Sequence, residues 1–159
     1  MSRTAAVLVV STRAAAGVYA DETGPLIVDW LHEHGFDAAD PIVTPDTRVD
    51  AALRAALATA PDLLLTTGGT GVSPDDGTPE ATAAVLDREL PGLMEELRRR
   101  GLAATPMALL TRGVAGIAGR TVVMNLPGSR GGVRDGLAVL DPILDHLLAQ
   151  LRGEGDHAR

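Results

Sequence analysis

The stretch Asp62 to Glu80, DLLLTTGGTGVSPDDGTPE, constrains this chain more than any other. Leu63, Leu64, Leu65, Thr66 and Thr67 form a continuous run bounded by turn residues, which predicts a short strand buried on both faces, as in a parallel sheet. Glycine then stops the strand. Gly68, Gly69 and Gly71, with Thr70 among them, allow positive φ and close backbone approach to a ligand, with amide N–H groups turned towards it. Asp75 and Asp76 follow, and Thr78 is placed to cap a helix whose first residue is Pro79. A helix N-terminus beside a glycine turn favours phosphate, and neighbouring carboxylates could hold a divalent metal against it. The competing description of the same residues is a tight strand-to-helix connection and nothing more.

Alternation of strands and helices extends in both directions from that stretch. Ala5 to Val10 predicts a first buried strand ending at Ser11, Thr12 and Arg13, with a loop over 14–23. A helix starts near Pro25, presents Leu26, Ile27, Trp30 and Leu31 on one face, and stops at Gly35. Phe36 to Val43 predicts a partly exposed strand ending at Thr44, Pro45 and Asp46, and Arg48 to Ala60 a helix closed by Pro61. Beyond the glycine turn come a helix from Pro79 to about Asp87 and another marked by Leu93, Met94 and Leu97. Pro106 to Leu110 is expected as a short helix or turn, in a segment where Gly113, Gly116 and Gly119 interrupt every pattern. Thr121 to Leu126 predicts a last strand, followed by Pro127, Gly128 and Ser129. A helical region from Val133 breaks at Asp141-Pro142.

This order predicts one α/β domain over residues 1–152, a three-layer sandwich with a mostly parallel, doubly wound sheet, and a mobile polar tail over 153–159. Ser11 to Arg13, Pro45-Asp46, Gly68 to Asp76 and Asn125 to Ser129 all fall just past the carboxyl ends of expected strands. Open α/β sheets bind ligands at that edge, so four loops are expected to meet around one crevice.

Composition removes several classes. A net charge of −7 and an aromatic content of 2% leave neither a basic surface nor stacking platforms for nucleic acid. There is no cysteine, hence no disulfide and no thiolate metal site. No apolar run spans a bilayer and the N-terminal segment is too short and strand-like for a signal peptide, so a cytoplasmic protein is expected. Every basic side chain is Arg; without Lys, Gly68 to Gly71 is not a P-loop. His32 and His34 do not share a helix face, and His146 and His157 are isolated, so capping or solvated roles are expected of them. Ser11, Ser73 and Ser129 lack a nucleophile-elbow pattern and an evident His partner.

Thr66-Thr67-Gly68-Gly69-Thr70-Gly71 followed by Asp76 and Thr78-Pro79-Glu80-Ala81, together with Asn125-Leu126-Pro127-Gly128-Ser129, resembles the signature of the molybdenum cofactor biosynthesis family of MogA and MoaB proteins. Gly17-Val18-Tyr19, Asp21, Gly24-Pro25, Pro45-Asp46 and Thr111-Arg112-Gly113 extend the resemblance over nearly the whole chain. It implies a molybdopterin-binding fold, commonly a homotrimer, and adenylyl transfer from ATP to the terminal phosphate of molybdopterin, with Mg²⁺ and release of pyrophosphate. Carried over by position, Asp46 and Asp76 match the catalytic carboxylates and are the candidate Mg²⁺ ligands. Thr67, Gly68, Gly69, Thr70 and Gly71, with Asn125, Pro127, Gly128 and Ser129, match the ligand-binding loops. Ser11 joins them at the end of the first strand, and Arg112, with Arg13 as a second candidate, would supply cationic charge.

The chain departs from many relatives at three places: Ser11-Thr12-Arg13 stands where Ser-Asp-Arg is usual, Asp75 where an Arg often precedes the second aspartate, and Arg130-Gly131-Gly132 where Pro-Lys often follows the second motif. Two other readings stay open, a molybdopterin carrier without catalysis and a nucleotide pyrophosphatase similar to the CinA family. A molybdenum-insertion protein is the expected downstream partner.

Overall fold

The computed structural model describes residues 2–154. Seven strands form one sheet: β1 (Arg3–Val10), β2 (Phe36–Ala38), β3 (Ile42–Thr44), β4 (Leu63–Thr67), β5 (Arg88–Glu89), β6 (Ala115–Ala118) and β7 (Thr121–Leu126). Their order is β2-β1-β4-β7-β6-β5, with β3 also pairing β1. β1, β4 and β7 are parallel in the middle; β6 and β5 add an antiparallel edge. All five residues of β4 are buried, as the unbroken Leu-Leu-Leu-Thr-Thr run requires of a central strand.

Period-2 alternation sends successive side chains to opposite faces. Val7, Val9, Leu63, Leu65, Met124 and Leu126 face one side, where α2 (Thr23–Glu33), α5 (Pro91–Leu102), α6 (Arg130–Leu140) and α7 (Leu144–Leu151) cover them. Leu8, Val10, Leu64 and Val123 face the other, against α3 (Val49–Ala58) and the small α4 (Thr78–Ala83). The result is the three-layer, doubly covered α/β sandwich expected from the order of elements.

Several boundaries differ from expectation. The strand predicted over Phe36 to Val43 is two strands interrupted at 39–41, and both lie against β1, end to end. Thr12–Ala15, expected as the end of the first strand and the start of the loop after it, form one turn of helix, α1, because Ser11 caps it by accepting the Ala14 N–H at 3.2 Å. The helix after the glycine turn ends at Ala83 rather than Asp87. β5 and β6 have no counterpart in the sequence pattern. Pro106–Leu110 is a 3-10 turn, and the chain does break between α6 and α7 at Asp141-Pro142. The expected polar tail is described only at Gly153 and Glu154; residues 155–159, His157 among them, lie outside the described residues.

Candidate functional site: the crevice at the carboxyl edge

β4 delivers its last residue, Thr67, beside the ends of β1 and β7, and its hydroxyl donates to the Pro127 carbonyl at 2.7 Å. The chain then turns through two left-handed residues, Gly68 at φ +92° and Gly69 at φ +67°. A Cβ on Gly68 would lie 2.2 Å from the Val10 carbonyl oxygen, and one on Gly69 would lie 2.4 Å from the Thr78 hydroxyl. Neither position admits a side chain. The turn is held from below by Thr78, which is not the helix cap expected of it. Gly77 occupies the cap position, and the buried Thr78 hydroxyl donates to the Gly68 carbonyl at 3.0 Å while its N–H donates to Gly69 at 3.2 Å.

The crevice above this turn has a volume of about 780 Å³. Of the residues singled out in the sequence, Ser11, Asp46, Thr67, Gly68, Gly69, Asp76, Gly128 and Ser129 line it, and Arg13 joins them. All four expected loops contribute. Ser129 caps α6 by accepting the Gly132 N–H at 3.1 Å, so the positive end of an 11-residue helix without acidic residues in its first turn begins at the wall. Ser11 is hydrogen-bonded to the Tyr19 hydroxyl at 2.8 Å, which ties the 14–22 segment to the rim.

Five expected ligand residues are placed elsewhere. Asn125 is fully buried: its amide nitrogen donates to Thr66 Oγ1 at 2.9 Å and Thr82 Oγ1 at 3.0 Å, and its oxygen accepts the Val114 N–H at 3.0 Å. It joins β7, β4 and α4 below the crevice instead of lining it. Arg112 is engaged within the protein, donating to the Gly71 carbonyl at 2.8 Å, to the Asp76 carbonyl at 3.1 Å and to the Glu80 carboxylate. That last bond holds the Glu80 carboxyl below its ordinary value of 4.5. Thr70 and Gly71 form the part of the turn that Arg112 clamps, and Pro127 supplies the carbonyl that Thr67 needs. These residues shape the site from behind. His32 and His34 likewise have structural roles, bonded to the Ala38 and Trp30 carbonyls at 2.9 and 2.8 Å.

The two aspartates lie against different glycines of the turn and both line the crevice. A Cβ built on Gly69 would come 3.2 Å from Asp46 Oδ1, and one on Gly71 2.9 Å from Asp76 Oδ2. Asp46 Oδ2 accepts the Thr12 hydroxyl at 2.6 Å, and Asp76 Oδ2 accepts the Ser73 N–H at 3.2 Å. Each carboxylate keeps its Oδ1 without a hydrogen bond among the described residues. No cluster of three or more His, Cys, Asp or Glu suited to a metal occurs among the described residues. A hard cation that takes one or two carboxylates and completes its octahedron with water and substrate phosphate needs no such cluster, so Asp46 and Asp76 fit Mg²⁺.

The sequence did not point to Glu22 or Arg130, which meet across the crevice with Arg130 Nε 3.5 Å from Glu22 Oε2. The available signal for Arg130 was its place directly after Ser129, at the start of the helix that closes the fourth loop. Asp21, Glu22, Asp46, Asp75 and Asp76 thus face only Arg13 and Arg130 among the residues lining the crevice.

A glycine turn flanked by carboxylates at the carboxyl edge of a parallel sheet defines an α/β domain with a crevice where open sheets bind ligands. The family described as a probable molybdopterin binding domain matches residues 6–146, and the chain belongs to this family, that of MogA and MoaB. A solved structure of MogA is 54% identical, covers 94% of this chain and 99% of that one, and superposes with a TM-score of 0.91. The molybdopterin adenylyltransferase of Haemophilus influenzae is 38% identical over 80% of this chain and 68% of its own length. The molybdenum cofactor biosynthesis bifunctional protein of Synechococcus elongatus is 41% identical over 96% of this chain but 48% of its own length. The chain therefore spans about half of such bifunctional relatives.

Proposed function

We propose that this protein is a molybdopterin adenylyltransferase of molybdenum cofactor biosynthesis. The observation that carries the reading is the pair Asp46 and Asp76, each beside a glycine of one turn and each with an oxygen free of hydrogen bonds among the described residues, in a crevice large enough for a nucleotide and a phosphorylated pterin. A crevice that only stored an anion would gain nothing from five carboxylates.

In the proposed reaction an oxygen of the molybdopterin terminal phosphate attacks the α-phosphorus of ATP. The bond from that phosphorus to the bridging oxygen breaks, and pyrophosphate leaves with the electron pair. Such transfer depends on alignment and charge neutralisation more than on covalent help. Mg²⁺, held by Asp46 and Asp76, would neutralise the phosphate oxygens. The Gly68 N–H is taken up by the Leu126 carbonyl at 3.2 Å, so the Gly69 N–H and the N-terminus of α6 are the backbone donors left to the remaining negative charge. Arg13 and Arg130 provide the mobile cations, Arg130 by exchanging Glu22 for the ligand.

Consumption of ATP suits a cytoplasmic protein that assembles as a homotrimer and hands its adenylylated product to a molybdenum-insertion protein. No helix among the described residues is long and apolar enough to cross a membrane.

The test is Asp46→Asn and Asp76→Asn, assayed with molybdopterin, ATP and Mg²⁺. Each should lower turnover by roughly a hundredfold or more, as is typical when a principal electrostatic contributor is lost. Pterin affinity should hold or improve, since a negative charge beside an anion has been removed. Adenylylation unaffected by either change would refute the catalytic assignment, and a parent protein that binds pterin without forming product would be a carrier.

A further inference from the structure

We propose that Thr12 is the positioning residue for Asp46, fixing which carboxylate oxygen is offered to the metal and phosphates; this rests on the adenylyltransferase reading given above. Thr12 opens α1, directly after Ser11, whose N–H donates to the Thr44 carbonyl at 2.9 Å. That bond extends the β1–β3 pairing, in which Val10 lies opposite Thr44, by one residue past the end of the sheet. The loop after β1 is thereby held alongside Pro45 and Asp46.

At this junction a single hydroxyl makes two bonds to one residue. Thr12 Oγ1 donates to Asp46 Oδ2 at 2.6 Å, and it accepts the Asp46 N–H at 3.1 Å. Its only proton goes to the carboxylate, while the oxygen holds the backbone from which that carboxylate hangs. The two bonds close a ring joining residues 34 apart in the chain, so neither side chain turns without breaking one of them. Threonine suits the task because branching at Cβ restricts its χ1.

With Oδ2 engaged by Thr12, Oδ1 is the oxygen left on the Gly69 side, 3.2 Å from where a Cβ of that glycine would stand. The junction is open to solvent, so water would replace the lost bonds at small cost in stability. What water cannot replace is orientation. A carboxylate free to rotate spends part of its time aimed away from the turn, and small misplacements of an aligned group are expensive in rate.

The experiment compares Thr12→Val, which keeps the shape and loses the hydroxyl, with Thr12→Ser, which keeps the hydroxyl, using Asp46→Asn as the reference. Turnover, the KM for ATP, the Mg²⁺ concentration at half-maximal rate and Mn²⁺ binding in the presence of ATP, by electron paramagnetic resonance, are measured on each full-length protein. Thr12→Val should lower kcat by about tenfold, leave the KM for ATP within about twofold, and raise the metal requirement severalfold. Thr12→Ser should restore most of both, with all three proteins melting together.

Wild-type kcat and metal requirement in Thr12→Val, alongside a collapsed Asp46→Asn, would overturn the positioning role and leave the adenylyltransferase reading standing. Loss in Thr12→Val that Thr12→Ser does not repair, accompanied by a lower melting temperature, would show a structural role and also overturn it. Full activity in Asp46→Asn would remove both this inference and the reading beneath it.

Discussion

Gly68 and Gly69 carry the steric demand of the turn, and at Gly69 φ is +67° with the Thr78 hydroxyl 2.4 Å from where a Cβ would lie. Gly69→Val therefore adds a β-branched side chain in a disfavoured backbone region and displaces the hydroxyl that holds Gly68. The variant should still unfold cooperatively, with a lowered midpoint, and should lose measurable binding of ATP and pterin. Titration calorimetry returning the parent affinity would show that the turn is a connection and not a cradle. Gly69 was legible in the sequence because only a turn explains glycines after a buried run. Asn125 was not legible in the same way. It lies opposite Thr66 in the parallel register, on a strand where every residue is buried, and its side chain points to Thr82 of α4. A polar residue at the end of a strand can face the crevice or satisfy buried hydroxyls beneath it, and nothing local to Asn-Leu-Pro-Gly-Ser decides between them.

Arg112 shows how a charged side chain can brace an element from outside the crevice lining. Its planar fork binds the carbonyls of Gly71 and Asp76, which bracket the turn, and Glu80 in the first turn of α4. Arg112→Ala should cost about 2 kcal/mol in urea unfolding at neutral pH, the usual scale for losing charge-assisted hydrogen bonds, and should weaken ligand binding by loosening the loop that carries Asp76. The pH dependence has a definite sign. The Glu80 carboxyl is lowered below 4.5 in the folded protein, chiefly by the Arg112 hydrogen bond, so its contribution is complete above pH 4.5 and fades as pH falls below it. The stability gap between parent and Arg112→Ala should therefore narrow below pH 4.5 and then level off, because the two carbonyl bonds do not titrate. A gap constant down to pH 3 would show that the exposed ion pair contributes nothing. The elements that escaped prediction have a common cause. Arg88–Glu89 is two residues long, and Ala115-Gly116-Ile117-Ala118 lacks both alternation and β-branched density. β6 exists as a strand because β7 offers an open edge, and β5 because β6 then offers the next, which is a tertiary circumstance. The buried parallel strands, whose composition alone excludes other roles, were readable from the start.

At the scale of the whole molecule, the acid-rich crevice and the distribution of apolar surface belong to different problems. The chain carries −7 overall, which repels polyanions, so the phosphate ligand of the proposed reaction would enter only where backbone dipoles, Arg13, Arg130 and the proposed Mg²⁺ outweigh the field. Exposed apolar side chains are densest in one short segment, Leu102 at 44%, Met107 at 61%, Leu109 at 60% and Leu110 at 48%, at the end of α5 and along the 3-10 turn after it, while Val18, Ile42, Val43, Val72 and Ile143 are exposed elsewhere. A lone exposed leucine is ordinary, but four large apolar residues within nine positions suit burial between subunits. We take this segment as the contact of the proposed homotrimer. Sedimentation equilibrium should give about 49 kDa, three times the 16.4 kDa of one chain. Met107→Asp combined with Leu109→Asp should dissociate the assembly, because burying two unpaired carboxylates costs several kcal/mol per copy. Both residues are exposed in the single chain, so the dissociated protein should keep its circular dichroism and melt cooperatively. A parent sedimenting at 16.4 kDa at micromolar concentration would remove the trimer. An intact trimer in the double variant would place its contact on another face and leave this segment as free surface.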